Sequence, residues 1–202
     1  RIRSRGLGDV YKRQSVLRGP GHSVQLGAVL INQGVLVGFD DEARQQALGL
    51  GIKARPAADQ LVAPCLVDPH SVLETPFSGD QETAVSLRHC AAAGGYGQIA
   101  LLPRSSSWRD RPERLQGFSL DQDQTATVRL HLWGGFSSGG KGDELAPHGD
   151  LLEHGAIGLA DDDAMVPAPL LERGLLLGEM GGCPVLVAPR DPTLQGEGLV
   201  RE

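Results

Sequence analysis

Apolar residues in this chain gather into short runs broken by polar, glycine-rich segments. Residues 28–39 (AVLINQGVLVGF) set two β-rich runs around Asn32-Gln33-Gly34, the pattern of a hairpin. Residues 40–50 suit a short helix bounded by Gly49 and Gly51. Residues 61–67 (LVAPCLV) read as one short strand that enters an irregular turn at its internal proline.

From there the pattern becomes strand–helix alternation. Residues 82–93 predict a helix with Asp80 as N-cap and Gly94-Gly95 as its stop. Residues 98–102 (QIALL) predict a buried strand, and the polar stretch 103–124 holds a short helix near 112–116. Residues 128–133 (VRLHLW) form the next strand, 136–141 a Gly/Ser loop, and 143–153 a helix closed by His154-Gly155. Residues 156–160 (AIGLA) form a strand that runs into Asp161, Asp162 and Asp163. A helix over 167–180, stopped by Gly181-Gly182, leads to a last strand at 184–187 (PVLV). Such repetition implies a parallel sheet with helical crossovers. At roughly 30 residues per unit, the stretch after Val62 holds about four units, half of an eight-unit barrel.

Composition narrows the classes. Among 202 residues, 28 Gly and 13 Pro show no fixed period, which excludes a collagen-like fibre. No apolar run reaches the roughly 18 residues of a membrane-spanning helix. The net charge of −6 argues against a nucleic-acid footprint. Residues 1–14 (RIRSRGLGDVYKRQ) carry four Arg and one Lys against one Asp, so the remainder carries −10. This basic start lacks the apolar stretch of a secretory signal. Its Asp9-to-Gln14 portion resembles the translation of a transposon end used in preparing sequencing libraries, which implies that residues 1–14 are a non-native segment. The Arg1 start and the lack of a closing element after 184–187 lead us to expect truncation at both ends. Cys65, Cys90 and Cys183 are odd in number and lack CxxC spacing, and read as small buried residues of a reducing cytoplasm.

Four segments carry a resemblance through their order and spacing: 68–76 (DPHSVLETP), 91–103 (AAAGGYGQIALLP), 155–162 (GAIGLADD) and 184–194 (PVLVAPRDPTL). Together they resemble the amidohydrolase barrel, specifically that of dihydroorotases of a divergent cyanobacterial type. Residues 28–39 resemble the small β-sandwich that precedes that barrel. The resemblance implies an α/β fold: a partial β-sandwich over 15–61, then the first half of a TIM-type (β/α)8 barrel over 62–202. It also implies a cytoplasmic, zinc-dependent hydrolase that interconverts dihydroorotate and N-carbamoyl-aspartate in pyrimidine biosynthesis. Its implied partners are a small-molecule substrate, a homo-oligomer or aspartate carbamoyltransferase, with neither nucleic acid nor membrane.

Opening a cyclic amide requires an activated water and a polarised carbonyl, and a binuclear zinc centre supplies both. The family pattern begins Asp-x-His-x-His-x-Arg. Here His70 matches the first His, Val72 replaces the second, and Glu74 replaces the substrate-binding Arg. Valine has no lone pair to give a metal, and a carboxylate at 74 repels the anion that Arg pairs with. Arg104 stands for the substrate-contacting Asn, and Ala188 for a later His ligand. Asp161 or Asp162 matches the metal-bridging carboxylate. The resemblance therefore carries over His70 and one of Asp161 and Asp162 as metal ligands, with Glu74 and Arg104 at altered substrate positions. The remaining ligands and a catalytic Asp would lie beyond the matched residues. Two ligands are fewer than the three or four that zinc sites use.

Structural readings stand beside these. His70 beside Asp68 suits a hydrogen-bonded strand end, and Asp161 to Asp163 suit a solvated loop capping the next helix. Arg104, Arg109, Arg111 and Arg114 with Asp110 and Glu113 read as a solvated face, or as an anion site in which Arg104 pairs with Glu74. Residues 134–142 (GGFSSGGKG) miss the phosphate-loop pattern, and Ser105-Ser106-Ser107 lacks the GxSxG elbow. His22, His89, His131, His148 and His154 share no ligand spacing. Three functions remain open: an active dihydroorotase, a non-catalytic homologue kept as a structural or regulatory partner, and an amidohydrolase with a rebuilt pocket.

Overall fold

The computed structural model describes residues 9–16, 21, 23–56, 61–73, 82–104, 108–119, 128–161, 165–178 and 181–188. The chain divides into two compact units, Arg1–Pro64 and Cys65–Glu202.

Among its described residues, the first unit is a mixed five-stranded sheet with one helix. Its elements are β1 (Asp9–Val16), β2 (Gln25–Asn32), β3 (Val35–Phe39), α1 (Asp40–Gly49), β4 (Ala54–Pro56) and β5 (Leu61–Val62). Strands run β3-β2-β1-β4, and β5 also pairs with β1. The β2–β3 hairpin turns through Gln33 and Gly34 at φ 48° and 80°, the positive values that two-residue hairpin turns require. Asp40, Asp41 and Glu42 fill the first turn of α1, where carboxylates suit the helix dipole. Ala43 and Ala47 on its inner face pack with Leu30 and Ile52. Strand β1 comes largely from the segment read from sequence as non-native, yet β2, β4 and β5 all pair with it. Where those residues come from and what backbone they adopt are separate matters, since β pairing asks only for extended chain with free amides.

The second unit carries β6 (Leu66–Ser71), α2 (Ala84–Ala93), β7 (Tyr96–Leu101), α3 (Pro112–Ser119), β8 (Arg129–Gly135), a 3-10 turn (Ser138–Gly140), α4 (His148–Glu153), β9 (Ala156–Ala160), α5 (Ala168–Leu177) and β10 (Val185–Leu186). The five strands are parallel and lie in the order β10-β9-β8-β7-β6. Each new strand joins the previous one on the same side, as in a barrel, whereas a doubly wound sheet reverses direction. The unit is half of a (β/α)8 barrel.

Alternation along the strands separates two faces. Ile99, Leu101, Leu130, Leu132 and Leu159 pack with helix residues Ala84, Ala91, Leu115, Leu151 and Leu170. Ala100, Leu102, Trp133 and Ala160 form a second cluster on the face away from the helices, joined by Val72, Ile157 and Leu186.

Several boundaries differ from the sequence reading. The run 61–67 is two strands: Leu61–Val62 pairs with β1, and Leu66–Ser71 opens the parallel sheet. The N-cap of α2 is Thr83, whose side chain accepts from the Ser86 N–H while the Ser86 hydroxyl accepts from the Thr83 N–H; Asp80 lies outside the described residues. Helix α4 begins at His148, not at 143, because residues 144–146 turn back onto 136–138. There the Ser138 N–H donates to the Glu144 carbonyl at 2.8 Å and the Ala146 N–H to the Phe136 carbonyl at 3.0 Å. Helix α5 stops at Gly178 in the left-handed conformation (φ 67°), short of Met180. Cys65, Cys90 and Cys183 are exposed, not buried. Among the described residues no helix is long and apolar enough to cross a membrane.

Candidate functional site

The C-terminal ends of parallel strands are where barrels of this type build their sites, and His70, Arg104 and Asp161 sit there. At the end of β6, the Asp68 carboxylate accepts the His70 backbone N–H at 2.9 Å and the Ser71 hydroxyl at 2.6 Å. The side chain of His70 is exposed. Val72, two residues on, is half-buried against the apolar cluster of Leu102, Trp133 and Ala160. Trp133 donates its indole N–H to the Pro69 carbonyl at 2.8 Å, which fixes the ring beneath the β6 end. Gly158 makes room for that ring: a Cβ there would lie 2.6 Å from Trp133 Cζ3.

The loop after β7 is built inward. Arg104 is half-buried at its start. Arg109 was grouped with a solvated face, but it is 1% exposed. Its Nε donates to the Trp133 carbonyl at 3.0 Å and its Nη2 to the Leu101 carbonyl at 2.6 Å, joining the ends of β7 and β8. Desolvation by burial lowers its pKa to about 10, so the guanidinium stays charged near neutral pH. Asp110, also expected on the surface, is buried; it accepts the Gly139 N–H at 2.8 Å and Arg114 Nη1 at 3.0 Å. Trp108 is buried, and its indole N–H donates to the Ser137 carbonyl at 3.1 Å.

The Gly/Ser loop after β8 turns its amides to the protein. The N–H groups of Gly139, Gly140, Lys141 and Gly142 donate to Asp110, Ser137, Ser138 and the Ser137 hydroxyl respectively. These amides are therefore not presented to a phosphate. His148, without evident role in the sequence, is 1% exposed. One ring nitrogen lies 2.8 Å from the Phe136 carbonyl, and the ring packs on Phe136 with centroids 4.6 Å apart and planes tilted by 49°. Asp161 ends β9, half-buried, and bonds Ser137 instead of capping α5, whose N-cap is Pro167. Glu74 and Asp162 lie outside the described residues. Among the described residues, no group of three or more His, Cys, Asp or Glu could hold a metal ion.

Sequence reasoning missed Trp108, Arg109, Asp110 and Ser137. One signal was available: an isolated Trp inside a Pro/Arg/Ser-rich stretch marks an apolar anchor.

The chain is 32% identical over 168 residues to the probable dihydroorotase-like protein of Synechocystis sp., covering 73% of this chain and 38% of that protein. It is 31% identical over 166 residues to the dihydroorotase of Geotalea daltonii, covering 79% and 39%. The chain belongs to the dihydroorotase-like amidohydrolases. It spans somewhat under two fifths of the length of these relatives. No family model matches it. In fold, this dihydroorotase-like chain is similar to a D-hydantoinase crystal structure with TM-score 0.63 and 18% identity, covering 89% of this chain and 39% of that one.

Among the described residues, those at these strand ends do not fit the binuclear zinc centre that the family resemblance implies. Val72 is packed among hydrophobic groups and has no donor atom. Asp161 has both carboxylate oxygens hydrogen-bonded to Ser137.

Proposed function

We propose that this chain is a cyclic-amidohydrolase homologue whose dihydroorotate-opening activity has been lost with its zinc centre, leaving a structural or regulatory role. The observation that carries this reading is Val72. It sits where the family resemblance places a metal-binding His, and it packs on Leu102, Trp133 and Ala160. Placing an imidazole and a hydrated cation there means wetting an apolar cluster, and burying polar groups without partners costs about 1–3 kcal/mol each. The altered substrate positions Glu74 and Arg104 agree with it, since an Arg-to-carboxylate exchange removes the fork that grips a substrate carboxylate.

In this reading His70 is an exposed strand-end residue. The partner that the resemblance suggests is aspartate carbamoyltransferase or a second copy of the protein. A cytoplasmic setting suits three free, exposed thiols.

The test uses the protein at the length of its relatives, with residues 1–14 kept because β2, β4 and β5 pair with the strand they enter, expressed with zinc supplied. Elemental analysis is expected to find less than one zinc per chain, and dihydroorotate turnover is expected to match the uncatalysed background. Stoichiometric zinc together with turnover would overturn the proposal. Restoring Val72→His, Glu74→Arg, Arg104→Asn and Ala188→His together is not expected to restore activity if ligands outside this chain have also changed.

A further inference from the structure

Ser137 lies at the centre of the strand-end loops and is fully buried. Its backbone N–H donates to Asp161 Oδ1 at 2.9 Å and its hydroxyl to Asp161 Oδ2 at 2.5 Å. Having donated, the hydroxyl accepts the Gly142 N–H at 3.1 Å, and the Ser137 carbonyl accepts the Trp108 indole N–H at 3.1 Å. One residue thus joins the loops that follow β7, β8 and β9. Asp110 adds a second tie between the first two through the Gly139 N–H.

We propose that Asp161 is the acceptor of a loop latch with Ser137 as its donor, and that it takes no part in binding metal. The inference deepens the proposed loss of the zinc centre and rests on that reading. A carboxylate engaged by an N–H and an O–H of the same buried residue is held in one orientation, and charge-assisted bonds of this kind are about twice as strong as neutral ones. A ligand role would leave a cation only the remaining lone pairs of two oxygens already fixed on Ser137, unless the carboxylate turned away. Such a turn would release the Ser137 hydroxyl and, with it, the Gly142 amide.

The test compares Asp161→Asn, Asp161→Ala, Ser137→Ala and the double Ala variant in the full chain. Readouts are site-resolved hydrogen exchange, thermal melting, and zinc uptake from zinc chloride. Asparagine keeps an acceptor for the Ser137 N–H and no anionic oxygen for a metal. Asp161→Asn is expected to retain protection at Ser137 and Gly142 within about threefold and to take up as much zinc as the unmodified chain. Both single Ala variants are expected to lose at least tenfold in protection at Gly142 and to melt several degrees lower. The double variant is expected to be no worse than the worse single one, as for two residues in one interaction.

Unchanged Gly142 protection in Asp161→Ala would overturn the latch, as would zinc uptake in the unmodified chain that disappears in Asp161→Asn. If the Ala variants do not fold, Asp161→Asn alone decides the ligand question. Zinc bound equally by the unmodified chain and Asp161→Asn leaves the latch standing and removes only the proposal that the metal centre is lost.

Discussion

Arg109 shows how far one side chain can depart from what its neighbours in sequence suggest. It sits among Arg104, Arg111 and Arg114 in a polar stretch, yet it bonds two strand-end carbonyls from inside the sheet. Arg109→Met is expected to destabilise the second unit by about 2–4 kcal/mol, because hydrogen bonds to a charged group contribute roughly 1.5–3 each; urea unfolding measures it. The pH dependence has a definite sign. A folded pKa of about 10 lies below the ordinary arginine value, so burying the charge opposes folding. That penalty is complete below about pH 10 and fades only as pH rises beyond it. The difference between Arg109→Met and the unmodified chain is therefore expected to be flat from pH 6 to 9. Val72→His alone is expected to lose about 1–3 kcal/mol and gain no zinc, read by melting and elemental analysis. Val72, Glu74 and Arg104 enter only as departures from a pattern that the sequence resembles. The roles of Arg109, Asp110 and His148 were not legible in the sequence, because burial of a polar residue depends on carbonyls brought together by distant strands.

At the scale of elements, the strands of the second unit were legible because each is a compact apolar run between breaks. Residues 98–102 and 156–160 show this most directly. The errors lie where tertiary bonds compete with local preference. Residues 143–147 have helical composition, but Glu144 and Ala146 bond the 136–138 segment, and α4 starts only after Pro147. The run 61–67 was read as one strand since nothing local says that its two halves join different sheets. Helix α2 offers a direct test of its cap: Thr83→Ala removes the side-chain acceptor of the Ser86 N–H. A loss of about 1 kcal/mol is expected from circular dichroism in urea.

For the whole molecule, β1 is the hub of its sheet, pairing with β2, β4 and β5. Deleting residues 1–16 is expected to abolish amide protection in β2, β4 and β5 while β7 and β8 keep theirs, as hydrogen exchange would show. Within the second unit, β7 and β8 are flanked by strands on both sides, whereas among the described residues β6 and β10 each have one neighbour. Exchange is expected to be slowest in the inner pair and faster in the outer two, with openings there nearer to local than to global unfolding. A consequence follows from the two tryptophans, which are all that the chain has. Both are buried, and each donates its indole N–H to a backbone carbonyl at the same end of the sheet, Trp108 to Ser137 and Trp133 to Pro69. Intrinsic fluorescence of this protein is thus a local optical reporter: its emission follows the wetting of the strand-end rim, even when the rest of the fold remains intact.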